Sequence, residues 1–304
     1  MGSVATARAR YSTVVAAVLV LPVLTGCTNS DSVIGNDAAG TAEQVVVASG
    51  ESVESSVLAE VYATVLASSG VPSRVEELTG GRADALAALD AARVTLVPEF
   101  TGSLLTYYEP QNPARTADDV FEALSRSLPE GLSVTDYATA EDRAVVALGR
   151  DSAQARTLEA FAPRCAETVA VVSPRFVEDG ALEQLTEGAD CTFARVEQSA
   201  VDISDTAAAQ PTAFGTATAF GTTTLSPLAQ SAAVTVLADP DHILAAQNVV
   251  PLFRTGALSD PAVKALSVVA GELSTTDLAA MIDQVRRGQA TPSAVARSWW
   301  DTRQ

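Results

Sequence analysis

The chain has 304 residues, 47% of them hydrophobic and only 18% charged, with a formal net charge of −18 and a single histidine. Such a length buries an ample core and points to two domains or lobes. The acidic balance excludes a nucleic-acid binder, which needs a basic footprint, and disfavours charge-driven binding to anionic lipid; its ordinary effect is solubility.

At the N-terminus, Arg8 and Arg10 precede an apolar run from Val14 to Val23. The run is too short to span a bilayer and has the length of the h-region of a secretory signal. It ends in Leu24-Thr25-Gly26-Cys27, a cysteine after two small residues. This resembles the bacterial lipobox. The resemblance implies a signal peptide over residues 1–26 and a diacylated Cys27 that holds the protein, through its lipid, on the extracytoplasmic face of the cell membrane. An ordinary signal peptide with an incidental cysteine is the other reading. Residues 27–40, rich in Asn, Ser, Asp, Gly and Ala, read as a flexible tether. With Cys27 lipidated, Cys165 and Cys191 remain as an even pair in an oxidising compartment. A disulfide there closes a loop of about 26 residues and stabilises by roughly 3 kcal/mol; two unpaired buried thiols are the alternative. Their spacing and the lone histidine disfavour a metal site.

Gln44 to Ala48 is a continuous apolar strand, of the kind covered on both faces in a parallel sheet. The turn Ser49 to Ser52 leads to a helix with Glu54, Leu58, Val61, Tyr62, Val65 and Leu66 at helical spacing, ended by Gly70. Pro72 to Leu78 reads as a second strand, Thr79 to Arg82 as a turn, Ala83 to Ala92 as an Ala-rich helix, and Val94 to Val97 as a third strand stopped by Pro98. This βαβαβ order implies right-handed crossovers and a parallel sheet, with ligands beyond the C-terminal ends of its strands. The turns at 49–52, 79–82 and 98–103 all fall at that edge, around one cleft.

Thr116 to Leu128 is a helix capped by Thr116, with Asp118 and Asp119 favourable to its dipole. Strands follow at Leu132 to Tyr137 and Arg143 to Leu148, a helix at Ser152 to Phe161, a strand at Thr168 to Val172, a short helix at Leu182 to Leu185 and a strand at Thr192 to Val196. Residues 140–240 thus repeat the α/β style with their own sheet. Ala207 to Thr224 is Ala-, Thr- and Gly-rich and holds two TAFGT pieces, containing Phe214 and Phe220, read as sequence slippage. Ala233 to Leu237 and Val249 to Phe253 are strands; Pro261 to Leu273, Thr276 to Val285 and Pro292 to Trp300 are helices, the last carrying two tryptophans read as packing residues.

Catalytic motifs are missing: no G-x-S-x-G, P-loop, H-E-x-x-H or C-x-x-C occurs. His242, in the loop Ala238 to His242, reads as a turn residue. Glu54 and Glu99 could be brought together by the fold, but one sequence does not argue a glycosidase-like pair. The expectation is a non-enzyme without cofactor or metal.

The stretch Leu96-Val97-Pro98-Glu99-Phe100-Thr101-Gly102-Ser103 resembles the D-L-x-P-E-Y-T-G-T/S pattern of substrate-binding proteins of osmoprotectant ABC transporters, the glycine betaine, choline and carnitine family. The first strand and its S-x-x-x-x-E-S turn, here Ser49 to Ser55, agree in order. So do Leu78 to Phe100 and the return segment Ala238 to Phe253. The resemblance runs from Val45 to Trp300. It implies a two-lobed α/β fold of the periplasmic-binding-protein type 2 class, each lobe a sheet flanked by helices, joined by a two-strand hinge. Lobe 1 is expected over 41–139 and 240–304, lobe 2 over 140–239. The implied role is a monomeric extracytoplasmic binder that closes over a small solute and passes it to ABC permease subunits. The rival class is a lipid-anchored sensor or interaction module that keeps the fold without uptake.

In that family an aromatic cage surrounds the quaternary ammonium, which donates no hydrogen bonds and is attracted through cation–π contact, about 0.5–2 kcal/mol per ring. The resemblance places Phe100 as a cage wall and Thr101, Gly102 and Ser103 as the adjoining turn, with Ser49 and Glu54 from the first turn. In Glu141-Asp142-Arg143-Ala144, at the entry to the second lobe, Arg143 replaces a cage tyrosine of many members, with Asp142 beside it; Phe220 and Thr222 fall near the second-lobe aromatic, and Gln247 and Asn248 stand where others place an aromatic near the return strand. The cage is depleted. Arg143 in the cleft favours an anionic or zwitterionic solute; pairing with Asp142 or Glu141 at the hinge surface is the open alternative. Tyr107 and Tyr108 are candidate replacement rings, although helical position sends one to the core and one outward.

Overall fold

The computed structural model describes residues 44–149, 154–200 and 218–304. The signal peptide, Cys27, the tether, the start of the helix expected from Ser152 and the first TAFGT piece lie outside these residues. The described strands are β1 (Val45–Ser49), β2 (Ser73–Glu77), β3 (Leu96–Phe100), β4 (Leu132–Val134), β5 (Ala144–Gly149), β6 (Val169–Val172), β7 (Arg195–Gln198), β8 (Thr218–Thr223), β9 (Val234–Val236) and β10 (Val249–Arg254). The described helices are α1 (Val53–Ser68), α2 (Arg82–Asp90), α3 (Thr101–Tyr108), α4 (Ala117–Ser127), α5 (Leu158–Phe161), α6 (Pro174–Glu178), α7 (Ala181–Ala189), α8 (Asp260–Glu272), α9 (Thr275–Arg286) and α10 (Pro292–Asp301).

They build two five-stranded sheets on one plan. The first has the order β2-β1-β3-β10-β4 and the second β7-β6-β8-β5-β9. In each, three parallel strands are followed by a strand running the other way, β10 or β5, which pairs antiparallel on both sides. Successive residues of β1 alternate between cores: Val45 and Val47 pack with α1, α8, α9 and α10, whereas Ala48 packs with α2, α3 and α4. Cover on both faces is why the strand reads as an unbroken apolar run. Helix ends follow local chemistry. Ser52 accepts from Ser55 N, Thr116 from Asp119 N and Thr291 from Ala294 N, while Gly70 takes φ 79° just past α1.

Two expectations need correction, and one element was not foreseen. β3 does not stop at Pro98; it runs through to Phe100. Thr101 N donates to Asn248 O at 2.9 Å, which makes that pair hydrogen-bonded, and alternation along the ladder then puts Pro98 opposite Pro251 at a non-hydrogen-bonded position. Neither ring removes a donor the β3–β10 ladder needs. The helix expected from Ser152 begins instead after Thr157, whose hydroxyl caps Ala160 N, and continues as a 3-10 turn over Ala162–Glu167. The second TAFGT piece, to which no element was assigned from sequence, lies within β8, in the middle of the second sheet. Gly221 is needed there, because a Cβ would lie 2.8–2.9 Å from the ring of the fully buried Phe176.

Two antiparallel segments link the sheets. Ala138 N donates to Val249 O, Val249 N to Ala140 O and Asp142 N to Gln247 O, with a bridge between Glu141 and Asn248. The Cys165–Cys191 disulfide closes a 26-residue span holding β6, α6 and α7.

Candidate functional site

The β3–α3 turn is fixed from behind by the returning chain. Thr101 N donates to Asn248 O, and Asn248 N donates back to Thr101 Oγ1 at 3.0 Å. Ser103 N donates to Gln247 Oε1 at 2.8 Å, and Asn248 Nδ2 donates to Ala138 O at 2.9 Å. Gly102 is pressed so close that a Cβ would sit 2.4 Å from Ala246 O. Thr101, Gly102, Gln247 and Asn248 are thus brought together and bond the frame around them, with the buried Asn248 Oδ1 left without a hydrogen-bond partner. They aim the start of α3.

What they aim at is a cation that the sequence reading missed. Arg175, on α6, donates from Nη2 to Ser103 Oγ at 2.9 Å and from Nε to Asp179 Oδ2 at 3.1 Å; Ser103 Oγ donates to Asp179 Oδ1 at 2.9 Å. The three groups close a ring that joins a residue beside the first sheet to two beside the second. The Arg175 guanidinium also stands over the Phe100 ring, 5.7 Å from its centroid. That contact contributes about 0.5–2 kcal/mol, rising with desolvation. Burial opposes the charge on Arg175, but the Asp179, Asp142 and Glu99 carboxylates outweigh it and shift the guanidinium further toward its charged form. The signal for this arm was present in Ser173-Pro174, a cap followed by proline at the first helical position: Ser173 Oγ accepts from Phe176 N and starts α6.

Beside it, Glu99 is buried and takes a two-point ion pair from Arg82, Nε to Oε1 at 2.9 Å and Nη2 to Oε2 at 3.0 Å. The turns at 79–82 and 98–103 therefore meet. Fork-to-carboxylate geometry of this kind orders both side chains and cancels the buried charge.

Arg143 does not supply the cleft cation. Its Nε lies 3.3 Å from Glu141 Oε1 and its Nη1 3.2 Å from Asp239 Oδ2, so it ties the two hinge segments together. Asp142 is buried at the hinge, where its Oδ1 accepts from Leu225 N at 3.2 Å and its carboxyl also bonds Thr223. Desolvation pushes this carboxyl up to about 6, against the pull of Thr223, Arg175 and Leu225. Glu54 pairs with Arg286 of α9, and Ser49 Oγ donates to Gly50 O and to Ser56 Oγ, so both residues of the first turn are engaged within the protein.

Phe220 and Thr222 point the other way. Gly221 and Thr223 alternate with them along β8, and Gly221 faces Phe176 of α6; Phe220 is buried with Ala147, Leu228 and Val234. Both are therefore placed away from the α6 side, and Phe220 is a packing ring. Tyr107 is 48% exposed, and Tyr108 packs on the core formed by Ala48 with α2, α3 and α4, as helical position implies. Trp299 is buried on the opposite face, in the core of Val45, Val47 and α1, and His242 occupies an exposed turn with φ 52°. Among the described residues, no three His, Cys, Asp or Glu side chains come together as a metal site. A cation, an aromatic face and a hydroxyl thus meet where the two sheets approach each other, an arrangement whose chemistry suits a small charged group.

The profile of the family described as "Substrate binding domain of ABC-type glycine betaine transport system" matches residues 43–302. No curated protein matches the chain. Among solved structures, apo YehZ from Escherichia coli is 19% identical, with a TM-score of 0.69 over 86% of this chain and 99% of its own. A glycine betaine/carnitine/choline ABC transporter structure is 11% identical, with a TM-score of 0.71 over 85% and 98%. Lactococcal OpuAC, closed on glycine betaine, is 12% identical, with a TM-score of 0.57 over 86% and 96%. These likenesses establish the two-lobed type 2 periplasmic-binding-protein fold, each lobe a sheet flanked by helices.

Proposed function

The chain belongs to the family of substrate-binding domains of ABC-type glycine betaine transport systems, and we propose that it captures a small zwitterionic, osmoprotectant-like solute between its lobes and delivers it to a membrane permease. Lobe 1 is residues 41–139 with 240–304, and lobe 2 is residues 140–239. Phe100, Ser103 and Arg175 contact the solute, and Asp142 sets the field at the hinge. Ser49, Glu54, Thr101, Gly102, Gln247 and Asn248 hold the frame, and no step of catalysis is involved. Cys27 carries the lipid that keeps the protein on the extracytoplasmic face of the membrane, where it works as a monomer.

One observation carries this reading: Ser103, at the C-terminal edge of the first sheet, meets Arg175 and Asp179 from the second beside the Phe100 ring. Ligands of open α/β sheets bind beyond such edges. Titration of the Phe100→Ala variant tests it. Losing the ring that seats Arg175 should weaken solute binding about tenfold, the ~1.4 kcal/mol of one good cation–π contact, with the far-ultraviolet dichroism kept. Unchanged affinity would refute the role. Replacing Cys27 by Ser should release the protein from membranes; persistent anchoring contradicts the lipid attachment.

A further inference from the structure

We propose that the cavity between α3 and α7 is a second ligand site, one that takes a basic α-amino acid: Arg115 receives its carboxylate, and Glu183 and Glu187 receive its two ammonium groups. This goes beyond the solute-binding reading above and does not rest on it, because Phe100, Ser103 and Arg175 do not line this cavity. Its volume is about 450 Å³, within the range of about 300–1,000 Å³ usual for small-molecule sites. Two consecutive residues of the return segment pin its opposite walls. Ala246 N donates to Arg115 O at 2.9 Å and fixes the loop between α3 and α4; Ala245 N donates to Gln184 Oε1 at 2.8 Å and fixes α7. Gln184 Nε2 in turn donates to Asp179 O at 2.8 Å and ties α7 to the end of α6.

Charge divides between these walls. Arg115 stands on the first, and Glu183 and Glu187, one turn apart on α7, stand on the second. None of the three makes an ion pair among the described residues. Asp179 also reaches the cavity, but its carboxylate is taken up by Ser103 and Arg175. Arg115 uses only Nη1, on Asn112 O at 3.2 Å and Ala114 O at 3.0 Å. Its Nε–Nη2 edge stays open, the same edge with which Arg82 grips both oxygens of Glu99. Two carboxylates against one guanidinium match a ligand with one carboxylate and two cationic groups. Each cation must bring N–H groups for the carboxylates to accept, and a quaternary ammonium has none, so betaine-like solutes do not compete. The buried Leu105 and Val120 give the methylene chain an apolar wall.

The test is calorimetric titration of the full chain in detergent with L-lysine, with cadaverine, which lacks the carboxylate, and with 6-aminohexanoate, which lacks the α-ammonium. Lysine should bind saturably with a Kd of about 1 mM or below, and each analogue about tenfold or more weaker. Arg115→Gln should bring lysine down to the level of cadaverine and leave cadaverine unchanged; the double variant Glu183→Gln/Glu187→Gln should weaken lysine about tenfold or more. No saturable lysine heat up to about 10 mM, an analogue that binds as tightly as lysine, a lysine affinity that either variant leaves unchanged, or displacement of lysine by glycine betaine would each overturn the proposal. If a variant loses its dichroism, the order of the three probes on the wild type decides. Saturable lysine binding beside a flat response to glycine betaine and simple carboxylates would refute the solute-binding reading and leave this one standing.

Discussion

Asp142→Asn is expected to raise the stability of the protein at pH 7 by up to about 3 kcal/mol. Desolvation pushes the Asp142 carboxyl from its usual value of 3.8 up to about 6 in the folded chain, and each unit of difference corresponds to about 1.4 kcal/mol. The folded state therefore holds this proton more tightly than the unfolded state. Stability from this group is present in full below pH 4 and is lost as pH rises from about 4 to about 6, because ionising Asp142 then costs more in the fold than in the unfolded chain. Asparagine removes the charge and keeps the bonds: its oxygen accepts from Leu225 N, and the Thr223 hydroxyl turns to accept from its amide. The melting midpoint at pH 7 should rise by about 6–12 °C, and the loss between pH 4 and 6 should flatten. A midpoint at pH 7 that falls, with the pH slope unchanged, contradicts this account of the hinge. The position also has functional weight, because the Asp142 carboxylate is one of the three charges, with Asp179 and Glu99, that favour the charge on Arg175. A stabilised variant with weaker solute binding is the expected trade.

The paired variant Cys165→Ala/Cys191→Ala is expected to move stability the other way, by about 3 kcal/mol, with the midpoint falling about 6–12 °C. The bond closes a 26-residue span, and its removal frees that span in the unfolded chain. The same span carries Arg175 and Asp179 on α6 and at its end, so the loss reaches the site. Solute affinity and midpoint should decline together in the variant and in reduced wild type. A midpoint unaffected by strong reductant would show that the bond contributes nothing.

Much of the first lobe was legible because its chemistry is local. Gln44 to Ala48 is apolar at every position from Val45, since helices cover both faces, and the caps Ser52, Thr116 and Thr291 announce their helices. The second lobe was harder, for reasons of packing. β8 carries Ala219 and Gly221 where other elements press on it, and these two small residues break the apolar run that marks a central strand, leaving its three threonines and Phe220 without a clear pattern. α6 has five residues, too few for a periodic pattern, so the arm bearing Arg175 left only a capping cue. Arg143 had two placements open in sequence, the cleft or a pairing with Asp142 or Glu141, and it pairs with Glu141 and with Asp239, 96 positions away, a partner that only the fold brings near. Gln247 and Asn248 look like ligand groups in sequence, and both are consumed by α3 and the hinge, 110–147 positions distant. Polar residues at a cleft edge serve either the ligand or the frame. Distance along the chain decides between them only after folding.

The central claim is that the cleft beside Phe100, Ser103 and Arg175 binds a small charged solute. Thermal unfolding of the chain against betaine, choline, carnitine, proline betaine and simple carboxylates tests it most directly. A ligand present at about 100 times its Kd stabilises by about 2.7 kcal/mol, so at least one carboxylate-bearing member should raise the midpoint by about 5–10 °C. The shift should vanish in Ser103→Ala, which opens the Ser103–Arg175–Asp179 ring. A flat response to every member, or a shift that Ser103→Ala leaves untouched, would contradict the account.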